Sequence, residues 1–75
     1  METKVENPKT ENAKNLIVLY TGYGKEKQRV ELYNFESVDH YTLGGVSYIR
    51  VCCDGRFYYY RTIESVIHSI VIYNR

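Results

Sequence analysis

Asp54-Gly55 is the most constraining dipeptide in the chain. It lies between VSYIRVCC and RFYYYR, two runs rich in β-branched and aromatic residues. Aspartate and glycine tolerate the positive φ that both central residues of a type I′ turn require, and the twist of that turn matches the strands it joins. A two-residue loop fixes the register. Cys53 then faces Arg56, Cys52 faces Phe57, Val51 faces Tyr58, Arg50 faces Tyr59, Ile49 faces Tyr60 and Tyr48 faces Arg61. Directly opposed residues share a face of the sheet. Ile49, Val51, Cys53, Tyr58 and Tyr60 make an apolar face suited to a core. Tyr48, Arg50, Cys52, Phe57, Tyr59 and Arg61 make an aromatic and basic face suited to solvent or a partner.

After Arg61 the apolar period changes. Ile63, Val66, Ile67, Ile70 and Val71 fall at i, i+3, i+4, i+7 and i+8, the spacing of one helical stripe. Thr62 stands where an N-cap belongs, and Glu64 in the first turn suits the helix dipole. Spacing therefore predicts a C-terminal helix near 62–73. The opposing signal is the density of Ile and Val, whose stiff χ1 disfavours helix. It supports an alternative, a helical turn at 62–68 followed by a last strand at 69–73.

Upstream, NLIVLYT at Asn15 to Thr21 is apolar on both faces and reads as a strand inside a sheet. Gly22 to Glu26 reads as a loop, and KQRVELY at 27–33 alternates, with Val30 and Leu32 inward. Residues 34–45 read either as an irregular crossing anchored by Phe35, Val38 and Leu43, or as a short edge strand turning at Gly44-Gly45. Residues 1–14 alternate lysine with glutamate and hold little that can be buried, so a disordered tail is expected there. The expected fold is α+β: a small four-stranded, mostly antiparallel sheet and one C-terminal helix, in a single small globular domain over 15–75. The alternative is an all-β, five-stranded small barrel.

Seventy-five residues sit near the lower limit for a self-sufficient core, and a formal net charge of +1 speaks against a strongly basic nucleic-acid binder. No apolar run approaches the roughly 18 residues a membrane helix needs, and the polar N-terminus has no apolar core of a secretory signal. Cys52 and Cys53 are adjacent and point to opposite faces of a strand, so free thiols and a cytoplasmic location are expected.

Known chemical motifs do not emerge. Thr21 to Lys25 has two glycines and a lysine but neither the spacing nor the strand-to-helix setting of a phosphate loop. Cys52, Cys53, His40 and His68 lack zinc-ligand spacing, nothing activates either thiol, and Glu36 with Asp39 has no cleft to work in. We therefore expect no enzyme, metal or cofactor. Tyr48, Arg50, Phe57, Tyr59 and Arg61 are the expected partner-binding residues, because tyrosine and arginine carry much of the energy of protein interfaces. The expected function is a small interaction protein of regulator or inhibitor type that binds another protein. So short a chain, without tryptophan and rich in Lys, Asn, Tyr and Ile, suggests a small regulator or inhibitor of microbial or mobile-element origin. A single-stranded nucleic-acid binder using the same face is the alternative, with bases stacked on rings and cations on phosphates. Ile72 and Tyr73, off the helical stripe, leave apolar surface for a homodimer.

Overall fold

A computed structural model describes residues 2–73; Met1, Asn74 and Arg75 lie outside the described residues. Seven strands run in chain order: β1 (Glu2–Asn7), β2 (Asn15–Thr21), β3 (Gln28–Tyr33), β4 (Phe35–Leu43), β5 (Val46–Cys53), β6 (Arg56–Arg61) and β7 (Ser65–Ile72). They form a four-stranded sheet ordered β1-β3-β2-β7 and a three-stranded sheet ordered β4-β5-β6. Among the described residues there is no α-helix, only a 3₁₀ turn at Gly24–Glu26. None of their helices is long and apolar enough to cross a membrane.

The two sheets pack face to face. Ile17 and Leu19 of β2 and Val30 and Leu32 of β3 meet Val51 and Cys53 of β5, and Phe35, Val38, Ile49, Tyr58 and Tyr60 close the periphery. Each of the six central side chains is at most 2% exposed, so full burial of one Leu or Ile contributes about 1.5–3 kcal/mol. The β5–β6 hairpin has the register that Asp54-Gly55 implies, with every pair from Tyr48–Arg61 to Cys53–Arg56 as expected. Asp54 and Gly55 both take positive φ, at 51° and 77°.

The expected α+β fold is wrong at its C-terminus. Residues 65–72 form a strand antiparallel to β2, not a helix. A bulge explains how a strand acquired helical spacing. Val18 pairs with Ser69 and Leu19 with Ile67, leaving His68 as the extra residue. The bulge keeps Ile67 and Ile70, three residues apart, on the same side as Ile17 and Leu19. Val66 and Val71 lie on the opposite side. Ile72, which no helical stripe accommodates, is in phase with Ile70. Thr62 caps no helix; its N–H donates to the Ser47 carbonyl at 3.0 Å. The all-β alternative shares the strand at the chain's end, but two packed sheets of four and three strands are not a five-stranded barrel.

One further segment departs from expectation, and another resolves into the longer form of one of its two expected readings. Residues 2–7, expected within a disordered tail, form β1 beside β3 in parallel. Their gain is backbone pairing and not burial. Lys4 pairs with Glu6 at the surface at 3.1 Å, and the Asn7 side-chain amide donates to the Tyr33 carbonyl. Residues 35–43, expected as a crossing or a short edge strand, are the nine-residue β4, joined to β5 through Gly44-Gly45. One residue, Asn34, carries the chain from one sheet to the other. It does so in the left-handed region at φ 61°, where asparagine is among the few tolerated side chains. Its side-chain oxygen accepts the Lys14 N–H at 3.0 Å, which fixes that corner.

Because the core is this small, each central residue matters. Leu32→Ala should lower stability in urea unfolding by about 2–5 kcal/mol. Ile63→Ala, at a position 70% exposed, should stay within about 0.5 kcal/mol of the parent.

Candidate functional site

The outer face of the three-stranded sheet is built from alternate residues of all three strands. Pairing aligns Tyr41 with Tyr48 and Tyr48 with Arg61, Asp39 with Arg50 and Arg50 with Tyr59, and Ser37 with Cys52 and Cys52 with Phe57. Tyr48, Arg50, Phe57, Tyr59 and Arg61 thus share one surface. β4 adds Asp39, Tyr41 and Leu43, which the sequence reading did not include. The signal for them was present: Gly44-Gly45 as a second two-residue turn places Tyr41 opposite Tyr48 by the same counting.

Arg50 organises the surface. Its Nε and a terminal nitrogen donate to the two oxygens of Asp39 at 3.0 and 2.7 Å, a bidentate fork. The guanidinium lies over the Tyr41 ring at 4.6 Å and near the Phe57 ring at 5.1 Å, contacts that favour a cation over an aromatic face. Hydrogen bonding to Asp39 raises the Arg50 pKa above its ordinary value, and the same bond holds the Asp39 carboxyl below its own. The fork is solvent-exposed, so its clearest consequence is the fixed position of the guanidinium.

Around this clamp the rings form a connected set. Tyr59 meets Tyr41 at 5.6 Å, Tyr48 edge-on at 5.9 Å and Phe57 at 6.4 Å between centroids. Phe57 and Tyr59 are 52% and 46% exposed, and Leu43 is 62% exposed. Tyr41, Leu43, Tyr48 and Tyr59 line an open hollow of about 330 Å³ with mainly apolar walls. Arg61, at the margin, is within 3.6 Å of Glu64. Both arginines of the expected site therefore have a carboxylate partner.

Elsewhere, a more polar hollow of about 370 Å³ lies at the end of the sandwich, lined by Asn7, Asn15, Asn34, Glu36 and Asp54 among others. Glu36 accepts the Gly55 N–H there at 3.2 Å, which fastens β4 to the β5–β6 turn. Among the described residues, no three His, Cys, Asp or Glu side chains gather as a metal would require. Ile72, expected in a dimer surface, is 63% exposed. The Tyr73 ring instead lies 5.2 Å from the Lys9 ammonium.

The cysteines divide between the two faces. Cys52 is partly exposed beside Glu36, and Cys53 is buried in the core. Burial pushes the Cys53 thiol up from 9.0 to about 11. In the native protein Cys52 should react with a thiol reagent and Cys53 only on unfolding. A pKa raised by folding stabilises fully below the unfolded value and loses that contribution as pH rises through the folded one. Stability should therefore fall between pH 9 and about 11, with a shallower slope in Cys53→Ala; chemical denaturation along a pH series measures both. Asp39 has the opposite sign: its lowered pKa adds stability above the ordinary carboxyl range, lost as pH falls through the folded value. In an NMR titration the Asp39 carboxyl should move back up in Arg50→Gln.

Compared with protein-family models, with curated proteins and with solved structures, the chain matches none.

Proposed function

We propose that this chain is a small, non-enzymatic interaction protein, a regulator or inhibitor in type, whose outer β4-β5-β6 face docks another protein. The observation that carries this reading is the ring set of Tyr41, Tyr48, Phe57 and Tyr59 around an arginine already held in place by Asp39. Such rings offer large apolar area, the three tyrosines a polar tip as well, while giving up few rotatable bonds on binding. A guanidinium fixed in advance loses less freedom on association than a mobile one. The hollow beside Leu43 is of a size to take one apolar side chain of a partner, the arrangement in which hot spots form.

Single-stranded nucleic acid is less well served by the same face. Stacking platforms for bases are combined with cations free to meet phosphates. Here Arg50 and Arg61 each face a carboxylate, and Asp39 adds negative charge to the surface.

The experiment is a capture from the source cells with the native chain and with Tyr59→Ala and Leu43→Asp, each checked for an intact fold by circular dichroism. The partner identified with the native chain should bind Tyr59→Ala about tenfold more weakly or worse. Unchanged affinity in both variants overturns the docking face. Tight binding of labelled single-stranded DNA or RNA that weakens steeply with salt overturns the choice of partner class.

A further inference from the structure

The two sheets expose four edge strands, and three of them carry charge. β1 has Glu2, Lys4 and Glu6, β4 has Glu36 and Asp39, and β6 has Arg56 and Arg61. Charged side chains on an edge discourage another strand from pairing there. β7, with the sequence SVIHSIVI, has no Lys, Arg, Asp or Glu. Its aliphatic residues Val66, Ile67, Ile70, Val71 and Ile72 are all between 38% and 63% exposed. Among the described residues it pairs with β2 alone, so its other edge is open.

The backbone phase of that edge follows from its two ends. Glu64 accepts from Gly22, and Tyr73 donates to Lys14, both at 2.9 Å. Alternation from each end turns residues 64 and 66, and residues 69, 71 and 73, toward β2. Ser65, Ile67, Ile70 and Ile72 then point their N–H and C=O groups to the open edge. The bulge at His68 is what brings odd and even positions into this one set. An antiparallel pairing of β7 with another β7, about an axis between His68 and Ser69, matches this set to itself. Ile67 meets the partner's Ile70, and Ser65 meets the partner's Ile72. Between them Val66 faces the partner's Val71 and His68 faces the partner's Ser69. The apolar positions are symmetric about that axis, Val66 and Ile67 against Ile70 and Val71, so apolar residues meet apolar residues across the isologous two-fold contact. A strand for which the bulge had not shifted the phase would present Ile67 and Ile70 with opposite backbone orientation, and the match would fail.

The packing of the sheets points the same way. The buried cluster joins Ile17 and Leu19 of β2 and Val30 and Leu32 of β3 to Val51 and Cys53 of β5, and Asn15 of β2 bonds the Phe35 carbonyl of β4 at 3.0 Å. Among the described residues the three-stranded sheet packs its core side chains on β3 and β2, and no β7 side chain joins the buried core. Ile67, Ile70 and Ile72 overhang, which is why they remain exposed although they face the same way as Ile17 and Leu19. A second β7 brings an identical overhang alongside.

We propose that β7 is a self-pairing edge: two copies join antiparallel along Ser65–Ile72 into one continuous sheet, β1-β3-β2-β7-β7-β2-β3-β1. The contact leaves the β4-β5-β6 outer face free and is independent of what that face binds.

Sedimentation equilibrium of the native chain should give twice the 8.9 kDa of one copy. Ile67→Lys and Ile70→Lys should return the single-copy mass with unchanged circular dichroism, since both positions are exposed. Should either variant fail to fold, oxidative cross-linking decides, in a Cys52→Ser background. Val66→Cys mixed with Val71→Cys should give a covalent pair, because a non-hydrogen-bonded antiparallel pair has the Cα separation a disulfide needs. Neither variant alone should cross-link. A single-copy mass at every concentration, a mass beyond two copies, or cross-linking of Val66→Cys alone overturns the proposal.

Discussion

The structure depends on a strand that must be covered on both faces and flanked on both edges. β2 carries Leu16 and Val18 on one side and Ile17 and Leu19 on the other, all buried. Such a strand is stable only inside a sheet, which obliges β3 and β7 to flank it, and its Ile17–Leu19 side needs a second layer, which β5 supplies with Val51 and Cys53. With so few central side chains, most of the remaining order comes from backbone pairing. That is how β1, nearly all of whose side chains are at the surface, holds its place against β3.

What was legible in the sequence was what local chemistry determines. Asp54-Gly55 dictated a turn, the turn dictated a register, and the register separated Ile49, Val51, Cys53, Tyr58 and Tyr60 from Tyr48, Arg50, Phe57, Tyr59 and Arg61. β2 and β3 were legible for the same reason, through double-sided apolarity and clean alternation. What was not legible depended on pairing between distant segments. β1 has no apolar pattern because its stability comes from β3, more than twenty residues away along the chain. β7 imitates a helix because a bulge against β2 inserts one residue into a period of two, and the resulting spacing of three is also a helical spacing. Propensity, with its excess of Ile and Val, was the truer guide there because an edge strand makes few demands that override it. The site was half legible: β5 and β6 carry it in their own pattern, but Asp39 and Tyr41, which hold Arg50, come from a segment whose sequence fits an irregular crossing as well as a short edge strand.

The contribution of β4 changes what Arg50 is. On a hairpin alone it would be a mobile cation between tyrosines, open to phosphate or carboxylate alike. With Asp39 opposite it on β4, its charge is balanced and its direction set, so the face offers shape and ring surface more than potential. On a face of this kind a complementary apolar side chain would gain more from desolvated aromatic contact than a phosphate would.

The two exposed apolar regions also differ in kind. The rings around Arg50 lie on a sheet face whose backbone is already paired, so what can dock there is chosen by side-chain shape. β7 presents an unpaired backbone as well, which will accept any strand of suitable phase unless the phase itself selects. The bulge at His68 performs that selection, because it places Ile67 and Ile70 in a register that only an antiparallel strand with the same two-residue interruption matches throughout. An edge left uncharged would ordinarily invite indiscriminate pairing; here the interruption narrows the fitting partners to a strand patterned like β7 itself.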